Sequence, residues 1–191
     1  MKLEPQSFYA AHRAAWRQWL ATHHTTEQAL WVLYDKGKDS KLTYEDIVEE
    51  ALCFGWVDSK AGAVSGTQTK LYVARRNPKS AWAKTNKARI EKLTKAGRMQ
   101  PAGLEAVRIA KESGAWDLLT KSDNLELPPE LTALLQKHPS AKANFETFPP
   151  SSKKMILEWI YTAKRDETKQ KRIEETVQLA QQNIRAHHAR Q

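Results

Sequence analysis

The stretch Thr43-Tyr44-Glu45-Asp46-Ile47-Val48-Glu49-Glu50-Ala51-Leu52-Cys53-Phe54-Gly55-Trp56-Val57-Asp58 decides how this chain is read. Thr43 stands three residues before Asp46, the spacing of a capping box, and Ile47, Val48, Ala51 and Leu52 then recur on one helical face. Gly55 is a stop, and the aromatic and β-branched pair Trp56-Val57 suits a strand directly after it. Helix followed at once by strand predicts an α+β unit. Upstream, Ala29-Leu30-Trp31-Val32-Leu33-Tyr34 reads as a buried strand closed by the polar turn Asp35 to Lys41. Downstream, Gly62 and Gly66 separate Trp56-Val57 from Leu71-Tyr72-Val73, as in a hairpin running to Arg76. Near the start, Phe8, Ala11, Ala15, Trp19 and Leu20 approach helical spacing, so a helix capped by Ser7 is expected over residues 7–22.

After Asn77-Pro78 the pattern is helical to the end. Gly, Pro and capping residues delimit helices over 82–96, 101–113, 129–137, 140–148, 151–164 and 167–186. In the last, Ile173, Val177, Ala180 and Ile184 form one stripe, suited to lying along a core. Leu125-Glu126-Leu127-Pro128-Pro129 reads as a linker. The expected fold is therefore α+β and mainly helical. Residues 1–124 form a small antiparallel sheet with flanking helices, and residues 125–191 form an all-helical part.

A chain of 191 residues can bury roughly 70% of its unfolded surface, and 40% hydrophobic with 28% charged residues excludes disorder and fibre classes. No run of about 18 apolar residues exists to span a bilayer, and Met1-Lys2-Leu3-Glu4-Pro5-Gln6 has no signal-peptide core. A cytosolic location is expected. The single cysteine, Cys53, excludes an internal disulfide and a Cys-based metal knuckle, and its place between Leu52 and Phe54 suits a small buried side chain. His23-His24 and His187-His188 are adjacent pairs whose rings diverge by roughly 100° on a helix. No metal or cofactor is expected.

The net charge of +9 is unevenly spread. Residues 60–98 hold 11 Lys and Arg and one acid, Glu91, while the rest of the chain is close to neutral. Within this segment Lys84, Lys87, Lys95 and Arg98 fall on one helical face, with Trp82, Ile90 and Leu93 on the other. Just before them, Arg75-Arg76-Asn77-Pro78-Lys79-Ser80 is a turn able to present two guanidiniums, a hydroxyl and helix N-terminal amides to an oxyanion, with Ser80 otherwise only an N-cap. Trp56 or Trp82 beside the arginine pair could stack a base or an aromatic ligand. Asp58 reads either as a general base or as a structural carboxylate paired with Arg75 or Arg76 across the hairpin. Nucleophile-elbow, phosphate-loop and dinucleotide glycine motifs are missing.

Several segments together resemble the YdeI/OmpD-associated, or bacteriocin-protection, family. They are Leu42 to Asp46, Glu49 to Ser59, Lys79-Ser80-Ala81-Trp82 with Asn86 and Arg89, and Gly97 to Gly103. A C-terminal signature follows in Trp159-Ile160, Ala163-Lys164, Glu167-Thr168 and Arg172-Ile173. The resemblance covers about residues 8–186. It implies a link to envelope-stress, antimicrobial-peptide or bacteriocin tolerance and assigns no reaction. The porin association of that family is not expected here, since the N-terminus reads as having no export signal.

The leading expectation is a non-enzymatic protein whose basic groove, formed by Asp58, Arg75, Arg76, Ser80, Trp82, Asn86, Arg89 and Arg98, holds an anionic small molecule or nucleic acid. One alternative is an enzyme for a small phosphorylated or carboxylated substrate, with Asp58 as acid or base and the arginines as clamp. The other is an interaction module whose C-terminal helices dock a partner or a second copy. Asp58 and the arginines together lining a concave site with an aromatic wall would favour the enzyme, and the same residues on a flat or convex ridge would favour a polyanion.

Overall fold

The computed structural model describes residues 6–187, which fall into two compact units divided between Ala115 and Trp116. The opening Met1 to Pro5 and His188 lie outside the described residues. In the first unit β1 (Ser7–Tyr9), α1 (Arg13–His23), β2 (Ala29–Asp35), α2 (Tyr44–Cys53), β3 (Trp56–Ala63), β4 (Gln68–Arg75), α3 (Lys84–Lys95) and α4 (Pro101–Glu112) follow one another. The four strands form one sheet in the order β1-β2-β4-β3.

The α2–β3 passage folds as its sequence dictates. Thr43 Oγ1 accepts from Asp46 N while the Asp46 side chain accepts from Thr43 N, so the capping box is reciprocal. Two expectations need correction here. The sheet is mixed, because β1 pairs parallel with β2 while the β2–β4 and β3–β4 ladders are antiparallel. Residues 7–9, expected to be helical, are that added strand. Phe8 points inward against Trp16 and Trp19, with ring centroids at 6.4 and 5.8 Å, and the helix starts only at Arg13, capped by His12, whose Nδ1 accepts from Ala15 N at 3.1 Å. The apparent helical period across residues 8–20 joins an inward strand residue to a true helical stripe.

Trp16, Leu20, Leu30, Val32, Ile47, Leu52, Leu71, Val73 and Leu93 are fully buried at the core of this unit. Packing at the α2–α4 contact is so close that a Cβ on Gly103 would lie 2.3 Å from the Cys53 carbonyl oxygen. Cys53 is buried, and that burial pushes its thiol pKa up.

The second unit contains α5 (Thr120–Asp123), α6 (Pro129–Lys137), α7 (Pro139–Thr147), α8 (Pro150–Tyr161) and α9 (Asp166–Gln181). Pro129, Pro139 and Pro150 each open a helix, where a missing N–H costs nothing. Leu131, Leu135, Phe145, Phe148, Ile156, Ile160, Ile173 and Val177 form its core. The last helix stops at Gln181, short of the expected Ala186. Asn183 takes the left-handed conformation at φ 59° and the Ile184 N–H bonds the Leu179 carbonyl, a Schellman ending made with Asn in place of Gly. No helix among the described residues is long and apolar enough to cross a membrane.

Candidate functional site

The C-terminal end of β4 builds the site. Arg75 pairs with Trp56 across the β3–β4 ladder, which sets both side chains beside the end of α1. The carbonyl of His24 accepts from Arg75 Nε at 2.9 Å and from Trp56 Nε1 at 3.3 Å. The His24 ring is itself fixed, since its Nδ1 donates to the Leu20 carbonyl at 2.9 Å. Arg76, the next residue, bonds through its amide to the Gly55 carbonyl at 3.0 Å and through Nη2 to the Ala81 carbonyl at 2.5 Å. Its guanidinium carbon lies 3.8 Å from the centre of the Trp82 ring.

These groups line a cavity of about 410 Å³. Its far wall is one face of α4, where Ala102, Glu105, Ala106 and Ile109 follow at helical spacing. Phe54 and Gly55 form its floor, and Gly55, at φ +74°, comes so close to α4 that a Cβ there would meet the Ala102 carbonyl oxygen at 2.9 Å. Three guanidinium nitrogens among the described residues are buried without an acceptor. Two of them, Arg75 Nη2 and Arg76 Nε, belong to residues lining the cavity, while the third is Nε of Arg98, which pairs with Glu50. Neither Arg75 nor Arg76 forms an ion pair with a carboxylate among the described residues, and Glu105 is engaged by Arg108 at 2.6 and 2.7 Å. Burial without a countercharge pushes the Arg76 pKa down to about 10, so it stays charged at neutral pH.

The remaining sequence-predicted site residues are placed elsewhere. Asp58 accepts a hydrogen bond from the Tyr44 hydroxyl at 2.8 Å and does not line the cavity or pair with either arginine. Ser80 closes the preceding turn by donating from Oγ to the Asn77 carbonyl at 2.7 Å. It is not the helix cap, a position held by Ala83 without any side-chain bond. Arg89 makes a two-pronged pair with Glu45 at 2.7 and 2.8 Å and also donates to Asn86 Oδ1. Arg98 does not extend the ridge of α3. Gly97, at φ +64°, turns the chain out of that helix, and Arg98 closes on Glu50. Trp56 and Trp82 are each 1% exposed, so the rings are walls behind the arginines and not open platforms.

Sequence reasoning passed over the acids of α2. Glu49 and Glu50 are buried, and Glu50 binds Arg13, Arg17 and Arg98 while Glu49 binds Arg13 and Lys92. Within the basic segment, Lys92 and Arg98 are thus paired with these buried acids, and Arg89 with Glu45. Acids at positions 46, 49 and 50 share a helical face, and that spacing was the available signal. On the outer face of the sheet, Lys60 and Lys70 place their ammonium groups 5.3 and 4.5 Å from the centre of the Trp31 ring, with Tyr72 beside it. In the second unit a cavity of about 350 Å³ is lined by Leu125, Leu135 and Phe145 with Lys142 and Lys153 among its polar residues. The described residues contain no cluster of His, Cys, Asp and Glu suited to a metal ion.

The family model described as "Domain of unknown function (DUF8412)" matches residues 8–106, which is more than half of the chain. The chain belongs to the DUF8412 family. The whole cavity except Ile109 lies within the DUF8412 match, as do the quoted motifs from Leu42 to Gly103. A second model, "Bacteriocin-protection, YdeI or OmpD-Associated", matches residues 124–183, so the DUF8412 segment is followed by a YdeI/OmpD-associated-like domain. Neither the curated proteins nor the solved structures contain a match to this DUF8412 protein.

Proposed function

We propose that the first unit is a non-enzymatic binding module for a small anion, seated in the cavity against Arg75 and Arg76. The observation that carries this reading is the pair of buried guanidinium nitrogens with no acceptor, on two arginines without carboxylate partners. A buried donor left unmatched costs about 1–3 kcal/mol, and an anionic ligand would remove that cost while balancing the charge. The alternative in which Asp58 acts as acid or base has less support, because its carboxylate is engaged by Tyr44 outside the cavity lining. The bacteriocin-protection name of the second domain suggests tolerance to such agents as the setting, and a cytosolic location accords with that reading. The test is calorimetric titration of the full chain with small carboxylates and phosphates, beside the Arg75→Ala/Arg76→Ala variant. Binding that the variant loses supports the module, and equal affinity in both proteins removes it.

A second reading, single-stranded nucleic acid along the outer sheet face, is favoured by Lys60 and Lys70 over Trp31 and Tyr72. Fluorescence anisotropy with a labelled single-stranded RNA at low and physiological salt tests it. Binding that survives physiological salt and falls in Lys60→Ala/Lys70→Ala supports that face. Absent binding, or binding indifferent to those lysines, removes it.

A further inference from the structure

We propose that the ligand of the Arg75–Arg76 cavity is a planar aromatic monocarboxylate, with its ring laid on the Arg76 guanidinium and its carboxylate on Arg75. This rests on reading the cavity as an anion site and names the ligand class.

The two arginines offer different things. Arg76 is a plate: its guanidinium carbon lies 3.8 Å from the centre of the Trp82 ring, which is itself 1% exposed, and both side chains line the cavity. One in-plane N–H of the plate is already committed to the Ala81 carbonyl. A flat π system on the remaining face completes a sandwich in which two rings face one cation, an attraction a saturated ring does not supply. Arg75 is held only through Nε, on the His24 carbonyl, and its Nη2 has no acceptor. The end of that fork matches a carboxylate.

The opposite wall sets shape and charge. Ala102, Ala106 and Ile109 are apolar, and the volume of about 410 Å³ accommodates one or two fused rings. Glu105 on the same helix face is already paired with Arg108, Thr25 is the one hydroxyl-bearing side chain lining the cavity, and no lysine is among its lining residues. A phosphate dianion would leave several acceptor sites unpaired after losing its water, whereas a monocarboxylate would not.

Isothermal titration of the full chain with 2-naphthoate, 2-naphthylmethanol, decalin-2-carboxylate and 2-naphthyl phosphate tests the assignment. The naphthoate should bind about tenfold or more tighter than each of the others, a difference of the size expected for one charge-assisted pair or one cation–π contact. Arg75→Gln should erase the preference for naphthoate over naphthylmethanol, and a preference that persists in this variant overturns the placing of the carboxylate on Arg75. Ala106→Trp, which puts an indole on the cavity wall, should abolish binding of all four. Its fold is checked by circular dichroism, and should it not fold, the Arg75→Gln arm decides alone. Tighter binding of the phosphate, or equal binding of the saturated acid, overturns the ligand class and leaves the anion site standing. No binding of any of the three anions at millimolar concentration overturns the reading of the cavity itself.

Discussion

The Arg76 guanidinium both stacks on the Trp82 ring, 3.8 Å from its centre, and donates to the Ala81 carbonyl in the same turn. A lysine at this position keeps the charge but loses the plane and the fork. Arg76→Lys should therefore destabilise the protein by about 1–2 kcal/mol, read as a lower urea midpoint at unchanged slope. An unchanged midpoint would show that the stack contributes nothing.

Glu50 is the hub of the internal charge network. Burial pushes its carboxyl pKa up, but hydrogen bonds from Arg17, Arg13 and Arg98 outweigh this and hold it below the usual glutamate value. A carboxyl depressed in the fold contributes stability that is fully present above its unfolded value, about 4.3, and is lost as pH falls through the lower folded value. Glu45 and Asp46 are shifted the same way. Glu50→Gln should cost on the order of 3 kcal/mol at pH 7 and should flatten the loss of stability below about pH 4. Parallel pH profiles for the two proteins would contradict the hub.

Glycines at two places should respond very differently. A Cβ on Gly103 would press on the Cys53 and Leu52 carbonyls at 2.3 and 2.7 Å, whereas Gly97 has no atom within 4 Å and carries only its φ of +64°. Gly103→Ala should cost about 3 kcal/mol or more and Gly97→Ala about 1 kcal/mol, measured by chemical unfolding. The reverse order would mean that α2 and α4 are less tightly apposed than described.

Asp58 should prove structural. Asp58→Asn is expected to leave anion affinity unchanged within about twofold, since the side chain does not line the cavity. The Tyr44 phenol, pushed up to about 12 by burial and then by the Asp58 hydrogen bond, should titrate at lower pH in this variant. Ultraviolet difference titration reads that shift. A large loss of binding would restore Asp58 to the site.

The parts of the fold legible in the sequence were those written in local chemistry. The reciprocal cap at Thr43 and Asp46, the stop at Gly55 and the N-terminal prolines of α4 and α6 are all settled within a few residues. Residues 7–9 were not legible, because their pairing partner β2 lies more than twenty residues away and a strand of three residues has no period of its own. The site was half legible. Arg75 and Arg76 could be singled out as a basic turn, but which cations remain without partners depends on α2, whose Glu49 and Glu50 were passed over and are buried against Arg13, Arg17, Lys92 and Arg98.

The parallel strand β1 also shields β2. Its backbone occupies the ladder positions that Trp31, Val32 and Leu33 would otherwise offer to any extended chain. Three residues thus separate a covered sheet margin from an open one with apolar and aromatic side chains along it. Proteolytic trimming past Tyr9 would turn that margin into a template for intermolecular strand addition, so the leading residues guard the chain against self-association as much as they complete its fold.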